Sequence, residues 1–270
     1  MSTPPPPLRG RRALVTGSTG GLGLAIAARL AAEGCAVMLH GLAEPAEAEP
    51  MRRALAERHG GPVLYRRADL ADRAEIEALV RAAEQDLGGG VDILVNNAVT
   101  RHFGPVDALP PEDWDADIAV NLTAAFHTIR LTLPGMRARG WGRILNMSSV
   151  YGLIGATGRA GYVTTKTALI GLTRAVALET VREGITCNAL CPGSTLTPAI
   201  EARLAPRLAA AGSDPAARAA VEAAFLAERQ PSRRFVDADR VAALAAFLCG
   251  PAGDDITGAA IPIDGGWAAS

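Results

Sequence analysis

Short, wholly apolar runs alternate along this chain with longer stretches whose apolar positions recur every three or four residues. The first run, residues 12–16, leads into a glycine-rich turn, and residues 22–33 then read as an amphipathic helix stopped by Gly34. Residues 35–39 form a second run. Residues 46–59 read as a helix stopped by Gly60 and Gly61, and residues 63–65 as a third strand. A helix over 73–87 ends at three glycines, and 91–95 is a fourth strand. Two helices follow over about 111–121 and on to 139. A strand at 143–147, a helix at 160–183, a sixth strand at 185–190, a helix at 237–248 and a last strand at 260–263 complete the series.

The strands lack the polar alternation of a sheet with one wet face. That predicts strands covered on both faces, hence a parallel sheet between two helix layers. With no internal repeat, the expected fold is α/β: one doubly wound, Rossmann-type parallel sheet of about seven strands over residues 11–270. Residues 1–10, proline-rich and then basic, are expected to be a flexible tail. Residues 198–230 break the rhythm and predict one or two inserted helices. They follow a strand's carboxyl end, where ligands of such sheets bind, so a lid over the site is expected.

Composition removes several function classes. The 270 residues carry a formal net charge of −1 without a block of like charge, and only 4% are aromatic. This argues against nucleic acid as a partner. No apolar run is long enough to span a membrane, and the N-terminus lacks a signal peptide's apolar centre, so a cytoplasmic protein is expected. Cys35, Cys187, Cys191 and Cys249 are expected to be free core thiols; no metal site is expected, since Cys187 and Cys191 lack a second ligand pair.

The turn reads Thr16, Gly17, Ser18, Thr19, Gly20, Gly21, Leu22, Gly23 between the first strand and the first helix. Such a turn lets backbone approach a pyrophosphate and aims helix N–H groups at it. Its spacing resembles the short-chain dehydrogenase/reductase family, and further motifs match in order. These are Asp69-Leu70, Asn96-Asn97-Ala98, Asn121, Ser149, Tyr162 with Lys166, Cys191-Pro192-Gly193 and Asp264-Gly265-Gly266. The resemblance implies cofactor contacts at Gly17, Ser18, Thr19, Gly21, Leu22, Gly23, Asp69, Leu70, Asn97, Ala98, Tyr162, Lys166, Pro192, Gly193, Thr195 and Thr197. It also implies a catalytic set of Asn121, Ser149, Tyr162 and Lys166, in which Asn121 holds a proton-carrying water. Val99 stands where the family usually has glycine.

Tyr162 and Lys166 are four apart on a helix and share a face. An ammonium beside a phenol favours the phenolate, so the pair can work as acid or base on a hydroxyl or carbonyl. Ser149 can hydrogen-bond the substrate oxygen. Ser148, its neighbour, is read as a strand-end hydrogen bond.

At the end of the second strand, His40, Gly41 and Leu42 supply no arginine or lysine for a 2′-phosphate, and the turn supplies none. That favours NAD over NADP, with Glu44 the nearest acid. Overall the chain is most similar to bacterial D-3-hydroxybutyrate dehydrogenases. Relative to that group, Arg101 replaces Gln, Tyr151 replaces His, Arg159 replaces Lys, Ser194 replaces Trp and Arg203 replaces Gln. Arg101, Ser149, Tyr151, Arg159 and Arg203 are thus expected to meet an anionic 3-hydroxy or 3-oxo acid, or a bulkier analogue. The alternatives are an NADP-dependent reductase of 3-oxoacyl thioesters or other ketones, and a non-catalytic nucleotide-binding regulator. The resemblance and the apolar helices at 121–139 and 160–183 imply a homotetramer.

Overall fold

A computed structural model describes residues 7–196 and 198–270. The strands are β1 (Arg12–Val15), β2 (Ala36–Gly41), β3 (Val63–Arg67), β4 (Ile93–Asn96), β5 (Gly142–Met147), β6 (Ile185–Pro192) and β7 (Ala260–Ile263). All pair in parallel, in the order β3-β2-β1-β4-β5-β6-β7. The expected doubly wound sheet is therefore present.

Successive strand residues face opposite sides, so each strand feeds two cores. On one face Val15, Leu39 and Leu145 pack with Ile26 and Leu30 of α1 (Gly21–Ala32) and with Val241 and Leu248 of α9 (Ala238–Cys249). On the other face Leu14, Leu94 and Ile144 pack with Leu79, Ile129 and Val176. Those residues belong to α3 (Arg73–Asp86), α5 (Ala124–Arg139) and α6 (Ala160–Thr180). The remaining helices are α2 (Pro45–His59), α4 (Pro111–Ile118), α7 (Pro198–Ala210) and α8 (Pro215–Leu226). Strand order reverses between β1 and β4, which opens a crevice at their carboxyl ends.

The N-terminal tail is shorter than expected. Leu8 is buried in the first core, its carbonyl accepts from Cys35 Sγ at 3.6 Å, and Gly10 N donates to Gly34 O at 3.1 Å. Residues 7–10 thus belong to the domain, and residues 1–6 lie outside the described ones. The inserted segment is two helices, α7 and α8, turned at Gly212 (φ +64°) and capped by Asp214, which accepts from Ala216 N. Between α4 and α5 a π-helical turn, Ala119–Thr123, inserts a residue that periodicity did not reveal. All four cysteines are buried and free, and burial pushes the Cys35 and Cys187 thiols up to about 12. Among the described residues no helix is long and apolar enough to cross a membrane.

Candidate active site

The glycine turn is shaped by what lies against it. Gly17 (φ +60°) has Ala98 Cα 2.7 Å from where a Cβ would sit, and a Cβ on Gly23 would strike the Gly17 carbonyl oxygen. Asn97 Nδ2 donates to Thr16 O (3.0 Å) and Gly17 O (2.9 Å), while Thr16 Oγ1 accepts from Asn97 N and Ala98 N. Asn97 and Ala98 therefore brace the turn against β4. Ser18 does not face the crevice: its hydroxyl donates to Val15 O (2.8 Å) and accepts from His40 N (2.9 Å), and its own N–H donates to His40 O. The expected contact from Ser18 is corrected accordingly; both its donors are spent inside the fold.

Two cavities meet at this turn. One, of about 540 Å³, runs from Gly17, Gly21, Leu22 and Gly23 past Pro192, Gly193 and Thr195 to Ser149, Tyr162 and Lys166. The other, of about 440 Å³, is lined by Thr19, Leu42, Asp69, Leu70 and Ala98. Val99 lines both. The first turn of α1 carries no acidic side chain, so its amino end presents an uncompensated positive dipole. An anionic diphosphate fits there, with a nucleoside on either side. Thr197 lies outside the described residues.

Among the described residues, no arginine or lysine lines the nucleoside end. His40 is buried; Nδ1 accepts from Gly17 N (3.0 Å), so Nε2 carries the proton and donates to Ala68 O (2.9 Å). Burial lowers its pKa and keeps it neutral. Glu44 caps α2 and pairs with Arg67 at 3.2 Å. Asp69 is the one carboxylate in the lining, and its Oδ1 accepts from Ala71 N.

At the other end β5 delivers Ser148 and Ser149, and α6 delivers Tyr162 and Lys166. Ser148 Oγ donates to Lys166 O at 2.8 Å and is fixed. Ser149 Oγ accepts from Tyr151 N at 3.2 Å, which leaves its proton free for a ligand. Lys166 is buried; Nζ donates to Met147 O at 2.7 Å and lies 5.6 Å from the Tyr162 ring centroid. Burial, and then the charge of Arg101, lower its pKa to about 7. Asn121 sits in the π-helical turn. Its Oδ1 accepts from Thr100 N (2.8 Å) and its Nδ2 donates to Thr100 O (3.0 Å), so the side chain pins the loop that carries Arg101. A cavity of about 10 Å³ between Asn121, Thr128 and Lys166 has room for about one water.

Beyond Tyr162 and Ser149 opens a third cavity of about 470 Å³. Arg101, Tyr151, Arg159 and Arg203 all line it, as does Ser194. Arg101 lies 5.3 Å from the Tyr162 centroid, Arg159 lies 4.5 Å from that of Phe103, and Tyr151 meets Trp267 edge-on at 5.2 Å. Phe103, Phe225, Arg229 and Trp267 also line the cavity. In the fold Gln230 is buried and accepts from Ser194 N at 2.9 Å, which draws Arg229 to the cavity. No sequence signal marks Phe103 or Arg229 as lining this cavity.

The sequence matches the family described as "short chain dehydrogenase" over residues 11–207. It is 45% identical to D-beta-hydroxybutyrate dehydrogenase of Cupriavidus necator over 264 residues, covering 97% of this chain and 99% of that one. It is 39% identical to the enzyme of the same name from Rhizobium meliloti, covering 96% and 99%. Among solved structures, a gluconate 5-dehydrogenase from Burkholderia cenocepacia in complex with NADP and tartrate superposes with a TM-score of 0.84. It is 32% identical, and 97% of each chain is covered.

Proposed function

The chain belongs to the short-chain dehydrogenase family, a group of nicotinamide-dependent oxidoreductases that interconvert secondary alcohols and ketones, and on that premise we propose that it acts on a 3-hydroxy acid and its 3-oxo counterpart with NAD. One observation carries this reading: Ser149 and Tyr162 stand where the nucleotide cavity joins a cavity lined by arginines. A reacting carbon at that junction has a nicotinamide on one side and cations for a carboxylate on the other.

A bound nicotinamide supplies the hydride acceptor in oxidation and the donor in reduction. The chain supplies the proton path and the orientation. Ser149 Oγ–H donates to the substrate oxygen and holds it near the Tyr162 hydroxyl. In oxidation the Tyr162 phenolate takes the hydroxyl proton while two electrons leave the carbinol carbon as hydride. Lys166, charged once an anionic phenolate or diphosphate is near, favours the phenolate. A water in the small cavity beside Asn121 and Lys166 completes the route to solvent. Tyr162 and Lys166 also hold the nicotinamide ribose in this reading. Arg101 and Arg159 receive the carboxylate through forked guanidinium donors.

NAD is favoured because, among the described residues, the lining around Leu42 offers a 2′-phosphate no cation. The NADP in the gluconate dehydrogenase relative keeps the alternative of an NADP-linked ketone reductase in the test. A cytoplasmic homotetramer with a small anionic substrate, and with neither nucleic acid nor membrane as partner, completes the proposal. A panel of 3-hydroxy acids assayed with NAD and with NADP, followed at the nicotinamide absorbance, tests it. Turnover of 3-hydroxy acids with NAD is expected. Turnover confined to neutral ketones with NADPH would replace this reading with the alternative.

A further inference from the structure

One carboxylate needs one or two guanidinium groups, yet the substrate cavity holds four. Arg101, Arg159, Arg203 and Arg229 all line it, and among the described residues no aspartate or glutamate does. Among the described residues, none of the four side chains pairs with a carboxylate or donates a hydrogen bond to another residue. Several arginines elsewhere are already neutralised: Arg12 and Arg139 both close on Asp92, and Arg137 closes on Glu183. Guanidinium groups stay charged at any relevant pH, so four of them around one concavity repel one another until an anion enters.

The four divide into two arms. Arg101 and Arg159 belong to the body of the domain. Thr100 N is held by Asn121 Oδ1, and Gly104 N donates to Gly158 O at 3.1 Å, so the loop and the start of α6 form one unit. Arg101 faces Tyr162, and Arg159 stacks on Phe103 and Tyr151, at 4.5 and 5.2 Å from their centroids. This arm is next to the reacting groups. Arg203 and Arg229 belong to the inserted segment. Arg203 lies 5.4 Å from the Phe225 centroid, and buried Leu204, Leu226 and Gln230 anchor its surroundings. Stacking on an aromatic face occupies the guanidinium plane and leaves its N–H edge to meet a ligand. The walls also carry the apolar rings of Phe225 and Trp267. The volume, about 470 Å³, lies in the ~300–1,000 Å³ range of sites for drug-sized ligands, well above the need of a four-carbon acid.

From this we infer that the substrate is a dianion: a 3-hydroxy or 3-oxo acid whose chain ends in a second carboxylate. Arg101 and Arg159 hold the carboxylate next to the reacting carbon, and Arg203 and Arg229 hold the distal one. The inference rests on the proposed 3-hydroxy-acid activity for the reacting end and adds the distal end.

The cleanest probe is a pair of acids of equal length, 3-hydroxyhexanedioate and 3-hydroxyhexanoate, which differ only at the far carbon. The wild-type enzyme is expected to prefer the diacid in kcat/KM by about ten- to a hundredfold, the worth of one charge-assisted pair formed as the distal carboxylate covers the exposed Arg203 and Arg229. The double variant Arg203→Gln, Arg229→Gln should bring that ratio close to one, and Arg203→Lys, Arg229→Lys should restore part of it. Calorimetric binding of hexanedioate against hexanoate gives a readout independent of turnover and should show the same order. Equal kcat/KM for the two hydroxy acids, or a ratio the double variant leaves unchanged, overturns the dianion inference while oxidation of 3-hydroxybutyrate upholds the activity. Should no hydroxy acid be oxidised while hexanedioate still binds at least about tenfold more tightly than hexanoate, the activity falls and the two-armed anion site stands.

Discussion

Lys166 donates to the Met147 carbonyl oxygen at 2.7 Å while its Nζ lies 5.6 Å from the centre of the Tyr162 ring. The end of β5 thus holds the amine that governs the phenol one helical turn earlier on α6. Tyr162 itself is nearly buried, at the junction of the nucleotide and substrate cavities. Removing its oxygen deletes the proton carrier and little packing. Tyr162→Phe should lower kcat by about 10²- to 10⁴-fold, the usual worth of a positioned acid–base group. Nucleotide affinity, read by fluorescence titration, should change only a few-fold. Turnover near the wild-type rate would reject Tyr162 as the base.

The same amine carries a folding cost. Burial lowers the Lys166 pKa from 10.5 to about 7, so between those values the unfolded chain binds a proton that the folded one does not. By linkage, stability then rises with pH across that window, and the cost is fully present below about pH 7. At ~1.4 kcal/mol per pH unit the cost is about 5 kcal/mol, and losing the Met147 partner in a Lys166→Met variant gives back roughly 1–3 kcal/mol. Lys166→Met should therefore be inactive yet more stable in the cofactor-free state by roughly 2–4 kcal/mol at pH 7. Urea melts should show that gain shrinking toward pH 10. A less stable variant at pH 7 would contradict it.

Cofactor choice turns on the exposed Leu42. It lines the nucleoside cavity at 63% exposure, and the nearby Arg67 is engaged by Glu44. NAD should be preferred over NADP by at least about tenfold in kcat/KM, since a 2′-phosphate would enter without a charge-assisted partner. Leu42→Arg should narrow or reverse that preference. Tighter binding of NADPH than NADH by the wild type would refute the argument.

Much of this was legible in the sequence because strands covered on both faces write themselves as unbroken apolar runs and helices as a 3.6-residue period. The family resemblance selects Ser149 over Ser148, and the fold supplies a physical basis, since Ser148 is tied to Lys166 O. What escaped the sequence depends on direction and long-range packing. Nothing local indicates that Ser18 points inward to His40, because a serine in a glycine turn reads as a phosphate contact either way. Leu8 looks like tail in the sequence, since its burial depends on a core assembled from distant elements, α1 and α9 among them. Phe103 and Arg229 reach the substrate cavity from loops 126 residues apart, a proximity that no periodicity encodes.

Assembly can be read from apolar side chains left uncovered. Phe126 on α5 is 48% exposed, and Leu178 on α6 is 78% exposed. Symmetric association would cover such positions. Light scattering at micromolar concentration should give four chains, and Phe126→Glu with Leu178→Glu should reduce that mass. A wild-type monomer under those conditions would remove the homotetramer from the proposal.

The sharpest single-residue test of the acid substrate is Arg159. It is the cap residue of α6, three positions before Tyr162, but its side chain makes no capping hydrogen bond. Truncating it should therefore leave the helix intact. Its guanidinium is stacked between Phe103 and Tyr151 in the substrate cavity, and it lines neither nucleotide cavity. Arg159→Ala should raise KM for a 3-hydroxy acid by about ten- to a hundredfold, as expected for one charge-assisted pair at ~1.5–3 kcal/mol. NAD affinity should stay within about twofold, a change of under ~0.5 kcal/mol. Arg159→Lys should recover only part of the loss, because an ammonium offers a point charge where the fork gives two parallel bonds. A neutral ketone reduced by the same enzyme should be indifferent to all three side chains. Should Arg159→Ala leave KM for the acid unchanged, the carboxylate does not bind there, and the ketone reductase becomes the better account of this site.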